Sequence, residues 1–263
     1  MPKLKGFIDH DRRVLRMTGA DARAVLQGVV SNDVARLAPG RAVYAALLSP
    51  QGKYLFDFFL VAAGDAILID VAAGRADALA ARLRMYCLRR DARIEAEPGL
   101  AVALIWGEGP PPDSALPDPR LPELGWRLYA PAPALDAVAP ATPGDYLALR
   151  IAHQVPATGI ELIPDDTYIL EAGFERLNGV DFRKGCYVGQ EITARMKHKT
   201  ELKKRLVPVR VDGTAPPGTP ITAGGKPAGT LYSQQGGRGL AHLRLDRAAG
   251  EMEAGPARVT YEG

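Results

Sequence analysis

Two hydrophobic runs, at positions 41–48 and 54–61, dominate the pattern of apolar residues in the first third of the chain. The polar stretch 49–53 between them contains Pro50 and Gly52, which are typical of a tight turn. Each run has the length and the aromatic content of a strand. The pattern therefore predicts a β-hairpin.

Apolar residues at helical spacing predict three helices. The first covers residues 22–29, the second covers 75–88, and the third starts after Thr142 and runs towards His153. Further strands are predicted at 66–71, 100–106 and 125–129. The proline-rich stretch 107–119 cannot hold regular structure and is predicted to be a surface loop.

Beyond about residue 200 the chain changes to short apolar segments divided by glycines and prolines. The segments predicted as strands are 205–211, 228–233, 239–243 and 257–261. This pattern is typical of a small β-barrel, and about 60 residues is near the lower limit for an independent core. We therefore predict an α+β body at 1–200 and a C-terminal barrel at 201–263 that packs on it.

The 263 residues are 47% hydrophobic and 24% charged, as in ordinary globular proteins, which excludes disordered and collagen-like classes. No apolar run reaches about 18 residues and the N-terminal segment does not resemble a secretory signal, so no membrane partner is expected. Two cysteines cannot form a disulfide framework or a four-cysteine cluster site. These features predict a protein of a reducing compartment, with the cytoplasm as the expected location.

The net charge of +3 is too small for a dedicated nucleic-acid-binding protein, but basic residues cluster near the end of the body. The members of this basic segment are Arg183, Lys184, Arg195, Lys197, Lys199, Lys203, Lys204 and Arg205. Only Glu191 and Glu201 oppose them. The segment is therefore predicted to attract anions.

Asp57 is the one acidic residue in the second hydrophobic run. Alternation along a strand would place it on one face with Leu55 and Phe59. Because a buried carboxylate without partners is costly, the fold is expected to keep it only with hydrogen-bond donors or a functional role. An edge-strand acid that faces water is the structural alternative.

The densest candidate for chemistry is the segment 180–195. Gly185 and Gly189 allow a turn that displays the Cys186 thiol. The two basic residues that end at Lys184 would favour the thiolate form. No histidine partner is identifiable, so a buried structural cysteine beside a solvated basic face stays open as the alternative.

This segment carries a family resemblance. The run Lys184-Gly185-Cys186-Tyr187-x-Gly189-Gln190-Glu191 matches the K-G-C-Y-x-G-Q-E signature of the YgfZ family of folate-binding proteins. The stretch Ser49-Pro50-Gln51-Gly52-Lys53 with Asp57 resembles the family's P-x-G-K/R-x-x-x-D turn and strand. Arg150 with Gly159 and Pro164 resembles its central region, and Gly239-Leu240-Ala241 resembles its barrel. The resemblance covers essentially the whole chain.

The wider superfamily includes the T-protein, the aminomethyltransferase of glycine cleavage. The resemblance implies the T-protein fold: interlocked α+β subdomains, here meeting near 107–120, around an opening that holds tetrahydrofolate, and a C-terminal β-barrel. The corresponding T-protein strand carries Gly-Gly-x-x-Asp-Asp. This sequence keeps one glycine, Gly52, and one acid, Asp57, with Phe58 beside it.

The resemblance also implies the site residues. Cys186 and Asp57 are expected to carry the chemistry. The residues expected to bind tetrahydrofolate, or a one-carbon or polyglutamylated derivative of it, are Asp57, Arg150, Glu171, Lys184, Tyr187, Gln190 and Arg195. The four histidines are scattered, and no metal ligands are expected.

The YgfZ family is known for folate-dependent support of iron–sulfur enzymes, including those that modify tRNA. The resemblance implies a factor for cluster assembly or repair that uses an exposed Cys186 beside the folate, with iron–sulfur client or assembly proteins as partners. Two alternatives stay open. One is a one-carbon folate transferase of the aminomethyl type, in which Asp57 acts at the folate nitrogen, so enzymatic activity is left undecided. The other is an RNA-binding accessory protein built on the basic segment, which the small net charge disfavours.

Overall fold

The computed structural model describes residues 3–199 and 201–263. The α-helices are α1 (Ala22–Val29), α2 (Ala76–Tyr86), α3 (Pro143–Ala152) and α4 (Gln190–Lys199). The strands are β1 (Lys3–Ile8), β2 (Arg12–Thr18), β3 (Ala42–Leu48), β4 (Tyr54–Ala63), β5 (Ala66–Ala72), β6 (Arg93–Ala96), β7 (Ala101–Glu108), β8 (Leu116–Pro117), β9 (Trp126–Ala130), β10 (Ala139–Pro140), β11 (Lys204–Asp212), β12 (Thr219–Ala223), β13 (Lys226–Gln235), β14 (Arg238–Arg244), β15 (Glu251–Ala254) and β16 (Ala257–Thr260). The predicted hairpin is present as β3 and β4, and the three predicted helices are α1, α2 and α3.

The strands form two sheets and a closed barrel. Sheet I has the order β3-β4-β5-β2-β6, sheet II has the order β10-β1-β7-β9-β8, and the barrel has the order β11-β14-β13-β12-β15-β16. The chain starts sheet II with β1, builds all of sheet I, and then returns to complete sheet II. The two sheets are therefore interlocked, which confirms the predicted α+β fold with a C-terminal β-barrel.

Sheet I is covered on both faces. On one face, α1 and α2 pack against it through residues such as Leu26 and Leu83. On the other face, Val14 and Leu68 of sheet I pack against Trp106 of sheet II. Two covered faces explain why β3 and β4 are continuous apolar runs in the sequence. Within the described residues, no helix combines the length and apolar character that crossing a bilayer requires.

The barrel has its own apolar interior and docks on the body through a small cluster. Ile151 of α3 packs against Leu206 of β11 and Leu240 of β14. The backbone N–H of Leu206 also donates to the carbonyl of Glu171 in the body, at 2.8 Å. The end of α3 is therefore the element that positions the barrel.

A close backbone approach joins the β3–β4 turn to the segment before α4. Gly52 in the turn has φ +73° and Gly189 has φ +82°. A Cβ atom on Gly189 would lie 2.6 Å from the carbonyl oxygen of Ser49 and 2.9 Å from the Cβ of Leu48. No side chain fits there, so the two stretches that carry the family resemblance are in direct contact.

Gly189→Ala is expected to lower the free energy of unfolding by about 2–4 kcal/mol, because the new methyl group meets a backbone oxygen at a residue that already has positive φ. Urea denaturation measures this. Gly185→Ala is the matched control, since a Cβ on Gly185 would have no heavy atom beyond its chain neighbours within 4 Å. Equal losses in the two variants would contradict the close approach.

Candidate functional site

Asp57 lies on β4 and is 5% exposed. Its carboxylate accepts hydrogen bonds from the hydroxyl groups of Tyr44 at 3.0 Å, Tyr54 at 2.8 Å and Thr158 at 2.5 Å. Among the described residues, no cationic side chain lies within 4 Å of this carboxylate. Asp57 is therefore a buried acid satisfied by neutral donors alone.

A shift in strand register brings the second tyrosine to Asp57. The pairing of β3 with β4 shifts between Leu47 and Leu48, so that Leu48 pairs with Tyr54. As a result, Tyr54 shares the face of Asp57, whereas Leu55 packs under the helices. The prediction that Leu55 lies on the Asp57 face is wrong, because simple alternation cannot anticipate a β-bulge.

The two tyrosines are held in their donating form. Burial, and secondly the charge of Asp57, raises the pKa of Tyr44 and of Tyr54 far above the usual value. The ring of Tyr44 is also packed between Phe59 and Phe174, with centroid distances of 5.1 and 5.0 Å. Both phenols therefore stay protonated at physiological pH and keep donating to Asp57.

A second buried network adjoins Phe59. The guanidinium carbon of Arg127 lies 3.9 Å from the Phe59 ring centroid, and Arg127 donates to Asp70 at 2.6 Å. Burial would raise the pKa of Asp70, but Arg12 and Arg127 outweigh burial and hold that pKa below its usual value. Asp118 has the same arrangement with Arg120, at 2.7 Å. These acids differ from Asp57 in that arginines neutralise them.

The turn that carries Thr158 connects Asp57 to the barrel. Three residues later, the buried Glu161 accepts a hydrogen bond from the N–H of Ser233 in β13, at 3.2 Å. Arg150 of α3 lies 3.5 Å from Glu161 and donates to the carbonyl of Val155 at 2.9 Å. Arg150, predicted to bind folate, therefore makes its observed contacts at the joint between body and barrel.

The segment 184–189 forms a loop, here called the Cys186 loop. The ammonium group of Lys184 donates to three backbone carbonyls at the end of α1, those of Gln27, Val30 and Asn32, at 2.9, 2.5 and 2.8 Å. Burial lowers the pKa of Lys184 to about 8. The ammonium group anchors the loop by capping the helix, and it does not lie free beside the thiol as the sequence predicted.

The remaining side chains of the Cys186 loop divide into buried and exposed ones. Tyr187 packs in the core with Phe174, and burial raises its pKa to about 12. Its backbone N–H donates at 3.3 Å to the side chain of Gln190, the first residue of α4. Cys186 itself is exposed. The loop therefore holds an exposed thiol between two anchored neighbours.

A groove of about 1000 Å³ lies between the body and the barrel. Its wall includes Glu171, whose carboxylate lies 3.4 Å from the Nε2 atom of His242 in β14. The arginines that line it are Arg176, Arg205, Arg210 and Arg238. Among the described residues, neither Arg205 nor Arg238 has a carboxylate within 4 Å. The lining also includes Glu171, Glu175 and Glu262, so Arg205 and Arg238 are the groups in the described lining that could bind an anion.

The predicted site residues fall into separate groups. Asp57 lies in the hydroxyl cluster, Arg150 at the joint, Glu171 in the groove, and Lys184 with Tyr187 and Gln190 in or beside the Cys186 loop. Arg195 is exposed on α4. In the basic segment, Lys197 is paired with Glu175, and the side chain of Lys199 lies outside the described part of the structure. The observed side-chain contacts thus do not bring these residues into one pocket.

Comparison with known proteins adds four similarities. Residues 203–262 match the family described as CAF17, C-terminal beta-barrel domain. The human mitochondrial protein named iron-sulfur cluster assembly factor IBA57 is 32% identical over 282 residues, which cover 92% of this chain and 78% of that protein. A mitochondrial IBA57 homologue from Phaeosphaeria nodorum is 29% identical over 96% of this chain and 71% of its own. The crystal structure of glycine cleavage system aminomethyltransferase T from Bartonella henselae has a TM-score of 0.79 at 16% identity, with 98% of this chain and 84% of that one covered.

These similarities have two consequences. The aminomethyltransferase match confirms the predicted T-protein-like fold, and at its low identity it shows the fold alone. The predicted cytoplasmic location is wrong, because the named relatives are mitochondrial proteins. A low cysteine content separates reducing from oxidising compartments but cannot distinguish one reducing compartment from another.

Asp57→Ala is expected to lower the free energy of unfolding by about 2–4 kcal/mol, because it removes the acceptor for three hydroxyl groups, two of them on fully buried tyrosines. The loss is expected to be smaller than the sum of three lost hydrogen bonds, because the hydroxyl groups of Tyr54 and Thr158 are 3.2 Å apart and can bond to each other. Thermal and urea denaturation measure the change. Asp65→Ala, at a side chain that is 93% exposed, should change stability by less than about 0.5 kcal/mol. An Asp57→Ala variant with an unchanged free energy of unfolding would show that the hydroxyl cluster does not stabilise the fold.

Proposed function

This chain belongs to the YgfZ family, which includes the iron–sulfur cluster assembly factors named IBA57. On that premise, we propose that the chain presents the Cys186 thiol to a partner protein while it binds a tetrahydrofolate. Its general role is that of an iron–sulfur cluster assembly factor. The observation that carries the finer proposal is the exposed thiol of Cys186 between two anchored neighbours, Lys184 and Tyr187. A thiol held in this way is accessible to a partner without a prior rearrangement of the loop.

The two cysteines of the chain differ in a way that favours Cys186. Cys87 ends α2 and is half-buried, and burial raises the pKa of its thiol. A raised pKa reduces the thiolate fraction, and the thiolate is the form that ligates iron. Clusters usually have four cysteine ligands, whereas this chain has two cysteines in total. In this proposal, the partner supplies the other ligands.

The body–barrel groove is the place where the described residues fit a folate. Its volume is at the upper end of the range of about 300–1000 Å³ typical of small-molecule sites. Glu171 supplies a carboxylate that can accept hydrogen bonds from the pterin N–H groups, and Arg205 and Arg238 can bind the carboxylates of the glutamate tail. The reduced folate would supply one-carbon or redox chemistry when bound.

Asp57 enters this proposal as a positioning residue. Its carboxylate is engaged by three hydroxyl groups, one of them from the turn that also holds Glu161 against the barrel. A one-carbon transferase would need an acid that is free to exchange a proton with the folate, and the contacts of Asp57 do not favour that alternative. The RNA-binding alternative is weakened as well, because Lys184 is buried and Lys197 is paired with Glu175.

Cys186→Ser is expected to abolish most of the support for iron–sulfur client enzymes while leaving the fold intact, because the side chain is exposed and serine is a poor iron ligand. Client activity in cells that lack the native protein measures this, and circular dichroism checks the fold. Cys87→Ser is the matched control and should support clients as the native chain does. Full client activity with Cys186→Ser would refute the role of the thiol.

Replacing both Arg205 and Arg238 by alanine is expected to weaken the binding of polyglutamylated tetrahydrofolate more than the binding of the monoglutamate. The difference between the two losses should shrink with added salt. Isothermal titration calorimetry measures both affinities. Arg247→Ala, at an exposed barrel arginine outside the groove lining, is the control. Equal losses for the two ligands, or an unchanged affinity for both, would rule out the groove as the site of the tail.

A further inference from the structure

Two large apolar side chains protrude from the end of α2. Met85 and Leu88 are 60% and 75% exposed, and they are the large hydrophobic residues that the described part of the chain leaves exposed. Met85 lies in the last turn of α2, and Leu88 lies in the turn that follows the helix. Exposed aliphatic groups of this size contribute nothing to the core.

The backbone holds Leu88 away from the core. The turn after α2 is closed by a hydrogen bond from the N–H of Arg90 to the carbonyl of Cys87, at 3.0 Å. Within this turn Arg89 has φ +62°, a conformation that residues other than glycine seldom adopt. Since this unfavourable conformation is kept, the fold specifies the turn that displays Leu88.

Five arginines surround the two apolar side chains in the sequence. They are Arg82, Arg84, Arg89, Arg90 and Arg93, and all five are exposed. Within residues 3–199 and 201–263, none of them has a carboxylate within 4 Å. The nearest acid in the sequence, Asp91, is engaged, because its carboxylate accepts the N–H of Ala20 at 3.1 Å. We call Met85, Leu88 and the five arginines the α2 patch.

We propose that the α2 patch docks an acidic surface of a partner protein, one that presents an apolar cleft flanked by carboxylates. Arg84 donates to the carbonyl of Ile94 at 3.5 Å, but none of the five arginines has a carboxylate partner among the described residues. They therefore match carboxylates by charge, and Arg–carboxylate pairs can be bidentate. Met85 and Leu88 would enter the cleft as anchors, surrounded by the charged rim that is usual in protein interfaces. The patch lacks the exposed aromatic residues that stack nucleic-acid bases.

A protein partner fits the patch better than a lipid surface does. The two apolar side chains together hold fewer apolar atoms than one myristoyl chain, which by itself gives only marginal membrane binding. The inference rests on the proposed function only in taking the partner to be an iron–sulfur assembly or client protein. The docking itself requires neither Cys186 nor a folate.

The Cys87 thiol can report whether a partner covers the α2 patch. Cys87 lies between Met85 and Leu88 in the chain and is half-buried, so a partner seated on the patch should cover its thiol. Alkylation of Cys87, followed by peptide mass spectrometry, can therefore locate a bound probe. Cys186 in the same sample serves as the reference thiol, because it belongs to a different surface loop.

The test uses a synthetic peptide of two antiparallel helices, about 35 residues in all, with a leucine-lined cleft between the helices and glutamate along both rims. Fluorescence anisotropy should show saturable binding to the native chain and slower alkylation of Cys87 in the complex. Binding should be at least tenfold weaker for the variant Met85→Ser with Leu88→Ser, and also for Arg89→Glu with Arg90→Glu. Arg41→Glu with Arg247→Glu is the matched charge control and should bind within twofold of the native chain.

The outcomes separate this proposal from its alternatives. No binding by the native chain, or equal binding by all variants, would overturn it. Binding to phosphatidylcholine vesicles that contain phosphatidylserine, without binding to the peptide, would assign the patch to lipid and would also overturn it. The Cys186→Ser protein should bind the peptide normally, so failure of the thiol proposal would leave this result unchanged.

Discussion

The contact between the backbones at Gly52 and Gly189 fixes the position of the Cys186 loop on the body. At this contact a Cβ atom on Gly189 would overlap the carbonyl of Ser49, so the separation is set by main-chain atoms. Main-chain contacts are less adaptable than side-chain contacts, which can repack around a change. The turn that contains Gly52 leads directly into β4, so it links the Cys186 loop to the strand that carries Asp57.

The buried acids of the body are satisfied in two different ways. Asp70 and Asp118 are neutralised by arginines, and Glu161 faces Arg150. Asp57, in contrast, is surrounded by hydroxyl groups, so its charge is hydrogen-bonded without a counter-ion nearby. Neutral hydrogen-bond donors stabilise a carboxylate in the protein interior, but they do not neutralise its charge. Among the buried acids that the structure describes, Asp57 is therefore the one without an arginine partner, and it lies next to a turn that reaches the barrel.

Local signals predicted much of this architecture. Pro50 and Gly52 predicted the turn of the β3–β4 hairpin. Thr142 predicted the start of α3, which begins with a capping box between Thr142 and Asp145. The site was harder, because its contacts join distant positions: Thr158 is 101 residues from Asp57. The ammonium group of Lys184 donates to the carbonyl of Val30, which is 154 residues away in the chain, and the bond from Tyr54 to Asp57 depends on a register shift. Neither contact leaves a pattern in the sequence. The β1 and β2 strands were missed as well, since no turn or periodicity sets them apart.

The Cys186 loop is fixed before any partner binds, and amide hydrogen exchange of the free protein, resolved by residue, measures this. We expect slow exchange at Lys184, whose N–H bonds to Asp181, and at Gln190, whose N–H bonds to the carbonyl of Tyr187. Faster exchange is expected only at the exposed residues between them. Uniformly fast exchange from residue 183 to residue 190 would instead show that an unanchored loop carries the thiol.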